Sequence, residues 1–148
     1  MIAAVVDANV FVSAVLSPAG TPAQVLNAWR GGRFVLVLSL AILAEIYRVL
    51  HYPKIALRHR WTEAQIRTFV DLLASQAIIT PGALTLTIIK DDPADNRYLE
   101  CAVEGHADVL VTGDQLLLNL GVYQGIPMLT PRAFLEAISQ KEFPSSGC

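Results

Sequence analysis

Cysteine is nearly missing from this chain: Cys101 and Cys148 are the two in 148 residues. Two thiols so placed make neither a disulfide framework nor a zinc pattern, and a cytosolic location is the default. Long hydrophobic runs are missing too. The longest nearly unbroken apolar stretch covers residues 34–44, interrupted by Ser39 and ended by Glu45. It is too short to span a membrane. The N-terminus passes from Met1 through Ile2-Ala3-Ala4-Val5-Val6 straight to an acid. With no basic region and no cleavage-site pattern, it reads as a core strand and not as a signal peptide. Repeats, low-complexity stretches and interdomain linkers are also absent. A strong charge of either sign is lacking, since the net charge is −2. No global basic field therefore advertises a nucleic-acid partner.

What remains is a hydrophobic chain, 53% apolar with a mean hydropathy of +0.47. Its length fits one domain that buries roughly 70% of the surface exposed by the unfolded chain. The domain is expected over residues 1–142, followed by a short flexible tail at 143–148. Such hydrophobicity in a small chain implies a further buried surface, most simply a homodimer or a partner interface.

Strand and helix signals alternate. Residues 2–6 form a Val-rich run of buried-strand length, and a short helix near 10–16 breaks at Pro18 and Gly20. Thr21 is expected to cap a helix with Pro22 first, stopped by Gly31-Gly32. Residues 34–38 read as the second strand, and Ser39 as the cap of a helix over 40–50 that Pro53 ends. Thr62 with Gln65 forms a capping box. Residues 85–89 read as a third strand. Asp92 is then placed as the cap of a helix with Pro93 first, closed by Gly105. A fourth strand over 109–112, a short helix over 115–120, a fifth strand over 126–129 and a last helix from Thr130-Pro131 complete the chain. The pattern predicts a three-layer α/β/α sandwich with a mainly parallel sheet of about five strands.

Against this hydrophobic background, acids recur at element edges: Asp7, Glu45, Asp92 with Asp95, and Asp114. Carboxylates rarely sit against apolar elements unpartnered. In a parallel sheet, ligands bind outside the carboxyl ends of the strands, and every one of these acids falls on that rim. Two carboxylates about 4 Å apart repel by roughly 4 kcal/mol at an effective dielectric of 20. Such a cluster needs cations, protons or bases to neutralise it. Hard cations such as Mg²⁺ or Mn²⁺ suit carboxylates drawn from separate loops, and a pair of such ions can drive phosphodiester hydrolysis. Asp7 and Asp114 would ligate directly, with Asp95 binding a second ion or bridging. Glu45 would act through water or accept the nucleophile's proton. Asn9, Ser13 and Thr112 could orient ligands or hold substrate phosphate. Six of the thirteen acids, Asp91 included, lie in or beside this site. Bound metal would offset much of their charge, so the low net charge argues only weakly against a nucleic-acid substrate.

Each residue also has a plain reading. Asp92 has the position of a helix cap. Asp95 gains from the helix dipole, yet shares a stripe with Leu99 and Ala102, which should face the sheet. Glu45 could pair with Arg48 or Arg97, and Asp7 and Asp114 could be turn residues. His106, after a helix-ending glycine, reads as structural. Between Arg48 and Arg67, Arg48, Lys54, Arg58 and Arg60 are interleaved with Tyr47, Tyr52 and Trp61. That segment is either an RNA-backbone contact with stacking platforms or a solvated face.

Val5-Val6-Asp7-Ala8-Asn9-Val10-Phe11-Val12-Ser13 resembles the opening motif of the PIN-domain family. Glu45 within an apolar helix resembles its second acid. Asp92-Pro93-Ala94-Asp95-Asn96-Arg97-Tyr98-Leu99-Glu100, residues 107–114 and Gly125-Ile126-Pro127-Met128-Leu129-Thr130-Pro131 resemble the C-terminal half of PIN proteins described as toxins. The resemblance implies Mg²⁺- or Mn²⁺-dependent RNA cleavage with Asp7, Glu45, Asp95 and Asp114 as catalytic acids and Asp92 and Asn96 in support. It also implies a VapC-like toxin with a cognate antitoxin, commonly dimeric. Gly113, inside Thr112-Gly113-Asp114-Gln115, departs from the usual pattern and resembles a less characterised branch. A receiver-like domain would need a lysine after the fifth strand, where Met128-Leu129-Thr130 has none. A dehalogenase-like phosphatase would need an aspartate at position 9. A catalytically degenerate interaction module is the non-enzymatic alternative.

Overall fold

The apolar run at the N-terminus becomes β1 (Ala3–Val6), which lies inside a six-stranded sheet. The computed structural model describes residues 1–140, so the tail expected at 143–148 lies outside the described residues. β1 is parallel to β2 (Val35–Ser39) on one side and to β4 (Val109–Val111) on the other, with Val5 aligned to both Val37 and Leu110. With β3 (Ile78–Thr80), β5 (Val122–Tyr123) and β6 (Ile126–Leu129), the order is β3-β2-β1-β4-β6-β5. All pairings are parallel except that of β5 with β6. Val5, Val37, Leu38, Val109 and Leu110 are completely buried. Sequestering a side chain of this size is worth about 1.5–3 kcal/mol, which fixes the sheet as the rigid part of the molecule. From β1 the chain builds outward through β2 to β3; it then returns to β1's other side through β4. The carboxyl ends of β1 and β4 therefore flank the switch point of an open α/β sheet.

Among the described residues, eight helices flank the sheet: α1 (Ala8–Leu16), α2 (Thr21–Arg30), α3 (Leu40–Leu50), α4 (Pro53–His59), α5 (Glu63–Gln76), α6 (Asn96–Glu104), α7 (Gln115–Leu120) and α8 (Pro131–Gln140). The local signals explain several boundaries. Ser39 Oγ accepts from Ile42 N at 3.2 Å and opens α3, while Thr62 and Gln65 form the reciprocal capping box of α5. Two boundaries differ from expectation. Gly20, not Thr21, is the N-cap of α2, which leaves Thr21 and Pro22 inside its first turn. Pro53 does not merely stop a helix; it starts α4 at a position where the missing N–H costs nothing.

The strand expected over residues 85–89 does not form. The third strand is the short Ile78–Thr80, and residues 81–92 run beside α6 instead. One stripe of that helix supplies acceptors in place of a neighbouring strand. Glu104 accepts from Gly82, Ala83 and Leu84 N–H at 3.0, 2.9 and 3.1 Å. Glu100 accepts from Leu86 N at 2.8 Å, and Asn96 Oδ1 from Ile88 and Ile89 N at 3.0 and 2.9 Å. Backbone donors must find acceptors, and here carboxylates and an amide provide them. At the end of α6, Gly105 passes so close to β2 that a Cβ would lie 2.5 Å from Val37 Cγ1. β5 was not expected. A two-residue turn with Gln124 at φ 49° and Gly125 at φ 79° folds it back on β6, the geometry of a type I′ hairpin.

Candidate metal-binding active site

Asp7 leaves the end of β1 and caps α1. Its backbone N–H donates to Val111 O at 2.9 Å, so the sheet itself holds the residue against β4. Oδ1 accepts from Asn9 N at 3.0 Å and Oδ2 from Thr112 Oγ1 at 2.7 Å, in a setting where Asp7 is buried and Thr112 is completely so. The Thr112 hydroxyl also accepts from Asp114 N at 2.9 Å. Asp114 caps α7, with Oδ1 accepting from Leu116 and Leu117 N–H at 2.8 and 3.2 Å. One buried hydroxyl thus joins the two acids across the β1–β4 switch point.

Asp95 comes from a third direction, as the last residue of a short 3₁₀ turn over Pro93–Asp95 ahead of α6. It is buried, and its Oδ2 has no hydrogen-bond partner. Among the described residues it is the one buried side-chain polar atom left so. Its pKa is raised from 3.8 to about 7. Burial contributes most, followed by the charge of Asp114, contact with the Asp114 carboxyl, and the charges of Asp92 and Asp7. A buried acid without a donor is costly, and here three other acids surround it.

Glu45 reaches the group from the second turn of α3, half-buried, and accepts from Tyr98 Oη at 2.6 Å. Its partner is therefore a tyrosine, not the Arg48 or Arg97 that its sequence position suggested; Arg97 instead pairs with Glu100 at 2.7 Å. The Tyr98 hydroxyl also accepts from Ala8 N at 3.2 Å. Burial, then the negative charges of Asp7 and Glu45, push this phenol well above its usual range, so it remains a donor. Sequence reasoning did not assign Tyr98 a role. Its position three residues after Asp95 on α6 was the available signal, because i and i+3 share a helix face.

The remaining candidates fall into two groups. Asp92 is exposed and makes no capping hydrogen bond, so the expected cap role is not met. The extended backbone at Asp92 leads into a 3₁₀ turn instead of an α-helix. Asn96 is buried and uses its whole amide: besides the two bonds it accepts, Nδ2 donates to Ile89 O at 2.8 Å and Pro93 O at 3.0 Å. It fastens the loop that carries Asp92 and Asp95. Exposed Asn9 and Ser13 line a groove of about 400 Å³ with Val10, Pro22, Gly113, Asp114 and Pro131.

The basic segment lies on α3, α4 and the turn that follows. Arg48, Lys54, Arg58 and Arg60 are exposed, and Arg48 Nε donates to Tyr52 Oη at 3.3 Å. The aromatics differ in availability. Tyr52 is exposed, Tyr47 donates to Glu63, and Trp61 packs edge-on against Phe69 with centroids 5.5 Å apart. His59 Nδ1 accepts from Trp61 N and Nε2 donates to Leu50 O, both at 2.8 Å, so this ring has a local structural role.

Among the described residues, no three His, Cys, Asp or Glu side chains form a ready-made metal cage. The donor set nevertheless fits a hard divalent cation. Such an ion keeps several waters and takes one or two carboxylates, and Asp95 Oδ2 is an unused oxygen beside Asp114.

The sequence matches the family described as PIN domain over residues 3–116, a range that includes Asp7, Glu45, Asp95 and Asp114. The chain belongs to the PIN domain family. It has the nuclease-type fold of that family, whose members are generally nucleases and typically use divalent metals. It is also similar to the uncharacterized protein MJ1680 of Methanocaldococcus jannaschii, 28% identical over 142 residues, covering 89% of this chain and 88% of that one. No helix among the described residues is long and apolar enough to cross a membrane.

Proposed function

We propose that the protein is a Mg²⁺- or Mn²⁺-dependent endoribonuclease. The observation that carries this reading is the buried, unpartnered Asp95 Oδ2 beside Asp114, at the rim where Asp7 is also anchored. Asp7, Asp95 and Asp114 would hold the cation. When bound, it supplies positive charge to the phosphodiester and makes an attacking water more acidic. The chain's own groups do the rest. Thr112 keeps Asp7 and Asp114 in register, and Glu45 stands at the edge of the acids, where it can take a proton from the attacking water. Asn9 and Ser13 offer hydrogen bonds to phosphate in the groove beside Asp114. Exposed Arg48, Lys54, Arg58 and Arg60 offer charge to the RNA backbone, with Tyr52 as a stacking surface.

Within this reading the chain acts in the cytoplasm as the toxin of a toxin–antitoxin pair, and as a homodimer. The motif resemblance to PIN toxins and the high hydrophobicity support it. The test is cleavage of a mixed single-stranded RNA panel with Mn²⁺, beside EDTA and an Asp95→Asn variant. Cleavage should fall about a hundredfold or more in both controls. Growth arrest on expression that disappears with Asp95→Asn would support the toxin role. Equal cleavage by wild type and variant would remove the acids from the reaction. Absence of both cleavage and Mn²⁺ binding would leave a degenerate interaction module.

A further inference from the structure

We propose that Tyr98 is the positioning residue of the site, its hydroxyl fixing Glu45 relative to Asp7. The inference rests on the nuclease reading for what Glu45 does, but its geometric part stands independently. The four acids come from four separate places in the chain, and three are tied by local or sheet contacts. Asp7 is fixed by Val111 and Thr112, Asp114 by the first turn of α7, and Asp95 by the loop that Asn96 fastens. Glu45 differs. It sits mid-helix on α3 with its side chain half-exposed, and a free glutamate there would sample several rotamers.

Among the described residues, its carboxylate is held by the 2.6 Å hydrogen bond from Tyr98 Oη. That oxygen is itself held from the other side by Ala8 N at 3.2 Å. Ala8 is the first residue of the helix that Asp7 caps, so two hydrogen bonds connect Glu45 to the residue following Asp7. The ring cannot swing away, since Tyr98 is 2% exposed and packed within the core. The bond also serves α1. Asp7 Oδ1 already accepts from Asn9 N, and Tyr98 takes the preceding N–H. Asp7 therefore need not bend back to satisfy it, and its oxygens are left to Asn9 N and the Thr112 hydroxyl. A phenylalanine would fill the same space and remove the junction.

The experiment compares Tyr98→Phe, Glu45→Gln and the double variant. In Tyr98→Phe, kcat for RNA cleavage should fall roughly 10- to 100-fold with KM unchanged, and the loss should vanish in the Glu45→Gln background. Side-chain NMR relaxation of the Glu45 methylenes in the metal-free protein reads positioning without any turnover. Their order should fall in Tyr98→Phe, and hydrogen exchange at the Ala8 amide should accelerate. Unchanged Glu45 order, or an equal kcat loss in the Glu45→Gln background, would reduce Tyr98 to a packing residue. Loss of Glu45 order in a protein whose wild type cleaves no RNA would keep the positioning role and overturn the nuclease reading instead.

Discussion

Asp95 and Glu63 are carboxylates that the fold treats in opposite ways. Glu63 lies at the exposed start of α5 and is met by three donors: the Tyr47 hydroxyl, the His51 ring and, at 3.1 Å, the Arg67 guanidinium. Those bonds, that of Tyr47 foremost, hold its pKa down at about 2. Asp95 is buried and lacks a donor to Oδ2, and its pKa rises to about 7. An acid retained for architecture is supplied with donors. Asp95 is denied them, and among the described residues the fold tolerates the resulting cost at this one place. The α3–α5 corner is thus electrostatically finished, whereas the acid rim keeps a buried carboxylate oxygen without a donor.

The largest effect expected from this contrast concerns stability without metal. For Asp95 the folded-state pKa lies above its unfolded value of 3.8. The proton is retained longer in the folded protein, so the stabilisation is full below pH 3.8 and is lost as pH rises toward about 7. A three-unit shift corresponds to about 4 kcal/mol at most. In EDTA the wild type should therefore unfold more readily at pH 8 than at pH 5. Asp95→Asn should remove much of that slope and be the more stable protein at pH 8. Saturating Mn²⁺ should raise the wild-type midpoint and leave the variant's nearly unchanged. Thermal unfolding in a matched pH series decides it; a variant less stable than wild type at pH 8 would mean that Asp95 has a partner in solution.

A middle-sized effect belongs to Thr112, which has no net charge but links two charged groups. Thr112→Val keeps the shape of the side chain. It removes the donor to Asp7 and the acceptor for Asp114 N. Leaving buried groups unpaired costs about 1–3 kcal/mol, and Mn²⁺ affinity should fall about tenfold as the two acids lose register. Isothermal titration with Mn²⁺ measures this. Unchanged affinity would show that β1 and β4 alone hold the acids in place.

Those acids were legible in the sequence because each follows an apolar element whose end is easy to place. Asp7 follows six apolar residues, and Asp114 follows Val109-Leu110-Val111 by a short turn. Helix starts with local caps were legible for the same reason, as at Ser39 and Thr62. What was hidden depends on distant partners. The Tyr98–Glu45 bond spans 53 positions and the Tyr98–Ala8 bond 90, and no periodicity encodes either. Residues 85–89 have strand composition but no strand to pair with, because Glu100 and Asn96 occupy the donors of Leu86, Ile88 and Ile89. The α4 helix is hidden because a proline signals the end of one helix and the first turn of the next equally well, and Pro53 does both.

The smallest effect is expected at the finished corner. For Glu63 the folded pKa lies below its unfolded value of 4.5, so its contribution is present above pH 4.5 and lost as pH falls toward about 2. For His51 the sign is reversed. Its pKa is raised above 6.5, chiefly by the bond to Glu63, so that contribution is full below pH 6.5 and lost as pH rises beyond it. The two overlap between about pH 4.5 and 6.5. Glu63→Gln should lower the thermal midpoint most in that window and least at either extreme. Because both groups lie in water, the change should be slight beside that of Asp95→Asn, and salt should weaken it. RNA cleavage should stay at the wild-type rate, since Glu63 is bonded within its own corner and not to the acid rim. If Glu63→Gln slowed cleavage while leaving the midpoint unchanged, the α3–α5 corner would belong to the working site, and the division between a finished and an unfinished acid would fail.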